Sequence, residues 1–178
     1  MREHLVIRRL TAEQASERIP ALSRVLMGCV DAGASVSFMS PMTRHKADAF
    51  WIGTRERVAA GTTELLVAEL GGEVAGTVQL VMGLPENQPH RADIAKLLVH
   101  PDARRQGVGQ ALMTAIEDLA REKGKTLLVL DTASDDADRL YRTLNWIEVG
   151  RIPGFALFPD GRPCDTVFFY KQLPRQLE

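Results

Sequence analysis

Apolar and polar positions change period several times along this chain, and each change marks an element. Leu5, Ile7 and, at the end, Arg9 alternate with His4, Val6 and Arg8, the two-residue period of a first strand. Thr11 then offers an N-cap, and Glu13 adds first-turn charge. Helical spacing follows to about Val30, carried by Leu22, Val25, Leu26 and Cys29, with Pro20 marking a break or kink. Residues 31–39 form a loop of small residues. Pro41 and Thr43 start a second helix that reaches about Ala60, with Ala47, Phe50, Trp51 and Val58 turned inward and Gly61 as its stop.

The period then returns to that of strands. Residues 64–70 and 74–82 predict a hairpin across the turn Gly71, Gly72 and Glu73. A connection over 83–90 leads to a strand over 91–99. The helix predicted over 107–123 carries Val108, Leu112, Ala115, Ile116 and Leu119 on one stripe, and Arg121, Lys123 and Gly124 close it. Residues 127–130 are continuously apolar, as in a parallel strand buried on both faces, and a right-handed crossover is expected before them. A short helix over 135–144 opens with Asp135, Asp136 and Asp138, and final strands are predicted at 147–149 and 166–170. The whole reads as a mixed α/β sheet flanked by helices. With no repeat or linker, residues 1–173 make one domain and 174–178 a tail.

Composition narrows the function. The 178 residues are 45% apolar, enough for one sizeable core. Lys plus Arg number 22 against 23 Asp plus Glu, so neither nucleic acid nor a membrane surface is an expected partner. No apolar run approaches the roughly 20 residues of a membrane span. The start Met1-Arg2-Glu3-His4-Leu5 does not read as a signal peptide. Cys29 and Cys164 are too few and too far apart for a disulfide framework or a zinc site, so no metal is expected. A cytoplasmic protein with reduced thiols is the expectation.

The chemistry concentrates where the strand ending Leu97-Leu98-Val99 meets the helix beginning at Gly107. The link His100-Pro101-Asp102-Ala103-Arg104-Arg105-Gln106-Gly107-Val108-Gly109 is basic and glycine-bearing. Such a turn offers free backbone N–H groups at a positive helix end, a place for pyrophosphate. Gly107 and Gly109 let a diphosphate approach the backbone, and Arg104 and Arg105 add charge at the rim. No Gly-Lys-Ser/Thr follows, and the third glycine of a dinucleotide fingerprint is missing, so neither of those phosphate loops applies.

Arg104-x-x-Gly107-x-Gly109, with residues 91–99 before it and Leu128-Val129-Leu130-Asp131-Thr132 after it, resembles the acyl-CoA-binding motif of the GNAT N-acetyltransferases. Residues 33–39, Asp131-Thr132, Tyr141, 150–155 and 159–162 resemble more narrowly the tabtoxin-resistance branch of that family. The resemblance spans nearly the whole chain. It implies a splayed sheet whose two central parallel strands diverge to admit acetyl-CoA. Leu98 and Val99 would then offer backbone groups to pantetheine and the acetyl carbonyl, and Arg104, Arg105, Gln106, Gly107, Val108 and Gly109 would hold the pyrophosphate. Many members carry an Asn after the fifth strand where this chain has Thr132-Ala133-Ser134, so contacts there are left open.

Three residues stand out for the transfer. Attack on a thioester needs a neutral amine, so a carboxylate or water chain must take a proton. Asp93 on the key strand and Asp131 at the end of the parallel strand are the candidates. The resemblance implies acids at both places, a longer Glu where this chain has Asp93, so a bridging water is expected there. As plain structural residues, Asp93 would pair with Arg91 or Lys96 and Asp131 would cap a turn. Tyr141 read alone is a core tyrosine; the resemblance makes it the phenol that protonates the departing thiolate. Ser35, Ser37 and Phe38 lie in a loop that the resemblance puts at the acceptor pocket. His100 reads as a loop residue, Trp51, Phe50 and Trp146 as core aromatics, and Cys29 as a small buried apolar residue.

The expected activity is acetyl transfer from acetyl-CoA, as co-substrate and without a metal, to a small-molecule amine, including an amino-acid-like toxin or antibiotic. A protein or peptide N-acetyltransferase and a non-catalytic CoA-binding regulator stay open. So does a homodimer.

Overall fold

The computed structural model of the chain describes residues 4–174. Seven strands form one sheet: β1 (Leu5–Leu10), β2 (Thr63–Leu70), β3 (Glu73–Val81), β4 (Arg91–Val99), β5 (Leu127–Thr132), β6 (Ile147–Leu157) and β7 (Pro163–Gln172), in the order β1-β2-β3-β4-β5-β7-β6. The helices are α1 (Ala12–Glu17), α2 (Ile19–Asp31), α3 (Arg44–Ala59), α4 (Val108–Glu122) and α5 (Asp135–Thr143). The alternation of strand side chains sorts the core into two layers. Leu66, Val78, Leu80, Ile94, Leu128 and Phe169 pack with Val108, Leu112, Met113 and Ile116 of α4. On the opposite face Leu65 and Val67 meet Val25 and Leu26 of α2 and Trp51 of α3.

Local chemistry sets the element ends. The Thr11 hydroxyl accepts from Gln14 N–H at 3.2 Å while the Gln14 side chain accepts from Thr11 N–H at 3.0 Å, a capping box that starts α1. The run expected to reach Val30 divides at Arg18, which ends α1 and precedes α2. Pro20 falls in the first positions of α2, where its missing N–H removes no helical bond. Thr43 caps α3 through Lys46 N–H, as its place in the sequence implies.

Two strand expectations need correction. β5 is not buried on both faces: Leu128 and Leu130 are buried, Leu127 and Val129 are partly covered, and Asp131 is exposed. It is parallel to β4 for three residues only, Arg91–Asp93 against Leu127–Val129, and antiparallel to β7 along its whole length. The final strands are far longer than 147–149 and 166–170. Gly150, Pro153 and Gly154 hide β6 in the sequence, yet β6 is the last strand of the sheet, where proline is tolerated, and its pairing with β7 slips at Glu148/Gly150 and Ile152/Ala156.

Two features of β4 shape the site. Past Asp93 it has no partner on the β5 side. Opposite β3, Thr77 pairs with Leu98 and Gln79 with Ala95, so Val78 alone faces Lys96 and Leu97. This bulge holds Lys96 at φ 51°, the left-handed region, with its carbonyl accepting from the Thr77 hydroxyl at 3.0 Å. Gly76 is needed beside it, because a Cβ there would lie 2.8 Å from the Leu98 carbonyl oxygen.

Glu117 ties α4 to the far end of the sheet. Its buried carboxylate accepts from Trp146 Nε1 at 2.9 Å and from Lys171 Nζ at 2.7 Å. Removing it strands a buried ammonium and an indole N–H. Glu117→Ala is therefore expected to lower the unfolding free energy by about 3 kcal/mol in urea titrations; an unchanged midpoint would contradict that role.

Candidate active site

Where β4 and β5 part, a cleft of about 1110 Å³ opens. One wall is β4 from Ile94 to Val99, another is Asp131 through Ser134 with α5, and residues 33–39 and the β6–β7 hairpin close the third side. The β5-facing edge of β4 has no ladder partner there. Backbone polar groups so placed call for an extended ligand with amides of its own.

At the C-terminal end of β4 the chain makes a one-turn 3₁₀ segment, Pro101–Ala103, then swings into α4. Gly107 is the N-cap at φ 82° and supplies no side-chain cap. The first-turn N–H groups of α4 therefore lack a protein acceptor and stand at the positive helix end. A Cβ on Gly107 would meet nothing within 4 Å, so the approach to these donors is open. Arg104, Arg105, Gly107, Val108 and Gly109 all line the cleft. Gln106 does not; its amide folds back to the Asp102 carbonyl at 3.2 Å. Arg104 Nε and the Cys29 thiol both donate to the Val99 carbonyl, each at 3.3 Å. Burial pushes the Cys29 thiol up, against the pull of Arg104, so it is an inert donor and not a nucleophile. Open donors, flanking guanidinium groups and a free strand edge together suit a long diphosphate-bearing amide such as CoA.

Tyr141 reaches the cleft from α5. Its ring is 4% exposed and packs between Trp146 and Phe169, with centroids at 6.0 and 5.7 Å. The hydroxyl has no hydrogen-bond partner among the described residues, nor is it sealed in the interior, so it opens on the cleft that Tyr141 lines. Burial, reinforced by the charge of Asp131, pushes the phenol well above its ordinary value. The group stays protonated, and so a hydrogen-bond donor, throughout the neutral range.

The two acids have different surroundings. Asp131 lines the cleft, and its Oδ2 accepts from the Thr166 hydroxyl at 2.8 Å. Asp93 is on the same face of the sheet but is not among the lining residues, and its carboxylate is taken by the Arg91 guanidinium. Burial raises the Asp93 carboxyl above the usual carboxylate range, Arg91 opposes this, and Asp131 adds to the rise. Of the pairings open from sequence, Arg91 is the one formed.

The loop over residues 33–39 is anchored, not loose. Ser35 Oγ donates to the Leu157 carbonyl at 2.8 Å and accepts from the Cys164 thiol at 3.2 Å, and just beyond the loop Ser40 N–H donates to the Pro159 carbonyl at 3.0 Å. Ser37 accepts from Lys96 Nζ at 3.0 Å, and Phe38 stacks edge-on against Phe50. Ser35, Ser37 and Phe38 all line the cleft. His100 packs against Gly28, where a Cβ would come 2.8 Å from its Nε2, and its Nδ1 accepts from Asp102 N–H at 3.3 Å, so it caps the 3₁₀ segment.

Residues 35–146 match the family model described as the acetyltransferase (GNAT) family. The chain belongs to the GNAT acetyltransferase family. A curated relative, an uncharacterised N-acetyltransferase from the hisH-hisA intergenic region of Azospirillum brasilense, is 34% identical over 107 residues. That match covers 57% of this chain and 60% of the relative's length. Solved structures share the fold. An N-acetyltransferase from Staphylococcus aureus Mu50 superposes with TM-score 0.79 at 20% identity, over 96% of this chain and 99% of its own. The yncA putative acetyltransferase of Salmonella typhimurium, solved with acetyl-CoA, gives 0.77 at 21%, over 98% and 96%. The ribosomal-protein-alanine N-acetyltransferase of Brucella melitensis gives 0.77 at 24%, over 94% and 99%.

Within this GNAT cleft, sequence reading missed Lys96, weighed only as a partner for Asp93, and Thr166, which orients Asp131. Phe155 and Leu157 were also missed as lining residues, because β6 could not be traced. The elevated phenol can be read directly. In a Tyr170→Phe variant Tyr141 is the sole tyrosine, since the chain has two. Its phenolate absorbance should stay absent in the folded protein to about pH 11; half-ionisation near the ordinary value of about 10 would contradict the buried donor.

Proposed function

We propose that this chain transfers the acetyl group of acetyl-CoA to the amine of a small molecule by direct attack. The observation that carries this reading is one cleft holding an uncapped helix N-terminus, a free strand edge, a carboxylate and a protonated phenol. Acetyl-CoA supplies the activated thioester, and this chain's residues do the rest. The α4 N–H groups with Arg104 and Arg105 hold the diphosphate, and the edge of β4 at Leu98 and Val99 aligns the pantetheine amides. A backbone N–H of the same strand meets the carbonyl oxygen as it gains charge. Asp131, oriented by Thr166, takes the proton of the arriving ammonium, with Asp93 as a relay through water. Tyr141 gives its proton to the departing sulfur.

A small acceptor is supported by the anchored loop over 33–39, which lines one side of the cleft and is tied to Leu157, Pro159 and Cys164. The resemblance of that loop and of residues 150–155 and 159–162 to the tabtoxin-resistance branch extends the proposal to amino-acid-like toxins or antibiotics. An enzyme drawing on acetyl-CoA belongs in the cytoplasm, where Cys29 and Cys164 stay reduced. The edge of β6, with Val149 67% exposed, is where a second copy would pair in a homodimer.

Thiol release from acetyl-CoA tests the reaction. Amino acids, β-lactam-type amino-acid toxins, aminoglycosides, polyamines and short peptides form the panel, and release should depend on one class of small amine. Tight acetyl-CoA binding with no release for any acceptor would sink the proposal. In the same assay Tyr141→Phe should lower kcat about 100-fold while acetyl-CoA affinity stays within about twofold; unchanged turnover would remove Tyr141 from the chemistry. Gly107→Val forces a β-branched residue into φ 82° and narrows the diphosphate site. Its acetyl-CoA Kd should rise at least about tenfold with the circular dichroism spectrum unchanged; retained affinity would displace the diphosphate from the α4 terminus.

A further inference from the structure

Lys96 is the one charge in the acceptor half of the cleft that the fold itself does not explain. Lys96 is partly buried in the cleft wall, and among the described residues no carboxylate lies within ion-pair distance of its ammonium. It touches only the Ser37 hydroxyl at 3.0 Å and the face of Phe50, 5.7 Å from the ring centroid. One of its three N–H donors is used in this way and two are left for a ligand. Arg57 is near enough to add to the positive field, and burial together with that neighbour weakens the hold of Lys96 on its proton. A partly covered cation that faces a cleft without a counterion is available to an anionic group of a ligand. The backbone is also strained to put it there, since Lys96 is a non-glycine residue at φ 51° on the β4 bulge.

Asp131 is the complementary charge. It lines the same cleft and its field reaches Lys96, yet the two do not pair. Thr166 occupies Oδ2, which leaves Oδ1 without a partner among the described residues. A cation on β4 and an anion at the end of β5 thus line one cavity without pairing. The ligand that completes both carries an ammonium and a carboxylate a short distance apart.

We infer that Lys96 binds the carboxylate of an amino-acid acceptor whose amine is held at Asp131. This rests on the acetyl-transfer reading above and makes the carboxylate a requirement for good acceptors. Polyamines, aminoglycosides and peptide amides lack that group beside the reacting amine. They would leave the Lys96 ammonium unpaired, so they should be poor acceptors.

The test is thiol release with the twenty proteinogenic amino acids, each matched by its methyl ester and its decarboxylated amine. For the best acceptor, kcat/KM should exceed that of its ester by about 50-fold, the discrimination expected of one charge-assisted hydrogen-bonded contact. In Lys96→Met that ratio should collapse to below about fivefold, and Lys96→Arg should restore part of it. Equal losses on acid and ester in Lys96→Met would make Lys96 a purely structural residue and overturn the inference. Esters or amines as good as the acids would overturn it too, while leaving acetyl transfer standing. No release from any member, with acetyl-CoA bound and turnover seen on the wider panel above, would overturn this inference and leave acetyl transfer standing.

Discussion

Everything in the site depends on where the backbone of β4 stops being satisfied by β5. The two strands are hydrogen-bonded over Arg91–Asp93 and Leu127–Val129, and beyond that β5 turns to β7 instead. A sheet that ran on would bury this edge and leave no cleft. The parting exposes backbone groups that water or a ligand must satisfy, and it sets α4 at the end of the opened strand. The bulge at Lys96 and Leu97, permitted by Gly76 against the Leu98 carbonyl, bends β4 at the same point. The parting and the bulge together thus supply the slot, its donors and the direction of its walls.

The cleft is electrostatically divided along its length. At the α4 end the uncapped N–H groups, Arg104 and Arg105 supply positive charge. Along β4 toward the acceptor side the charges alternate instead, with Lys96 on one wall and Asp131 on the other. Tyr141 lies between these regions, and its phenol is kept neutral by burial and by the neighbouring carboxylate. The phenol therefore keeps its O–H at high pH and can offer it as a hydrogen bond to a group in the cleft. The buried Cys29 shows the opposite economy: a thiol at the mouth of the slot, raised by burial, serves as a hydrogen-bond donor to Val99.

Much of this was legible along the chain. The strand, basic turn and helix around Gly107 stand out because Arg104-x-x-Gly107-x-Gly109 follows an apolar run and precedes an apolar stripe. Tyr141 and Asp131 were legible through family resemblance, and the structure brings both to the cleft. Other features depend on tertiary pairing that no local pattern encodes. β6 is an edge strand whose outer face meets solvent, so Gly150, Pro153 and Gly154 erased its alternation. Asp93 is written like Asp131, but Arg91, two residues earlier on the same strand face, takes its charge. Gln106 belongs to the basic turn by sequence, and only the turn's geometry sends its amide back to Asp102. Lys96 looked like an ordinary partner for Asp93 because a bulge cannot be read from hydrophobic period.

Backbone hydrogen exchange with and without CoA addresses the central claim most directly, because it reads the unsatisfied backbone groups themselves. The amide of Val99 on β4, and those of Val108, Gly109 and Gln110 in the first turn of α4, should become protected on adding CoA. Amides in β1 and β2, far from the parting, should not change. Protection confined to other segments, or none at β4 and α4 at saturating CoA, would contradict the account that the parted strands form the cofactor slot.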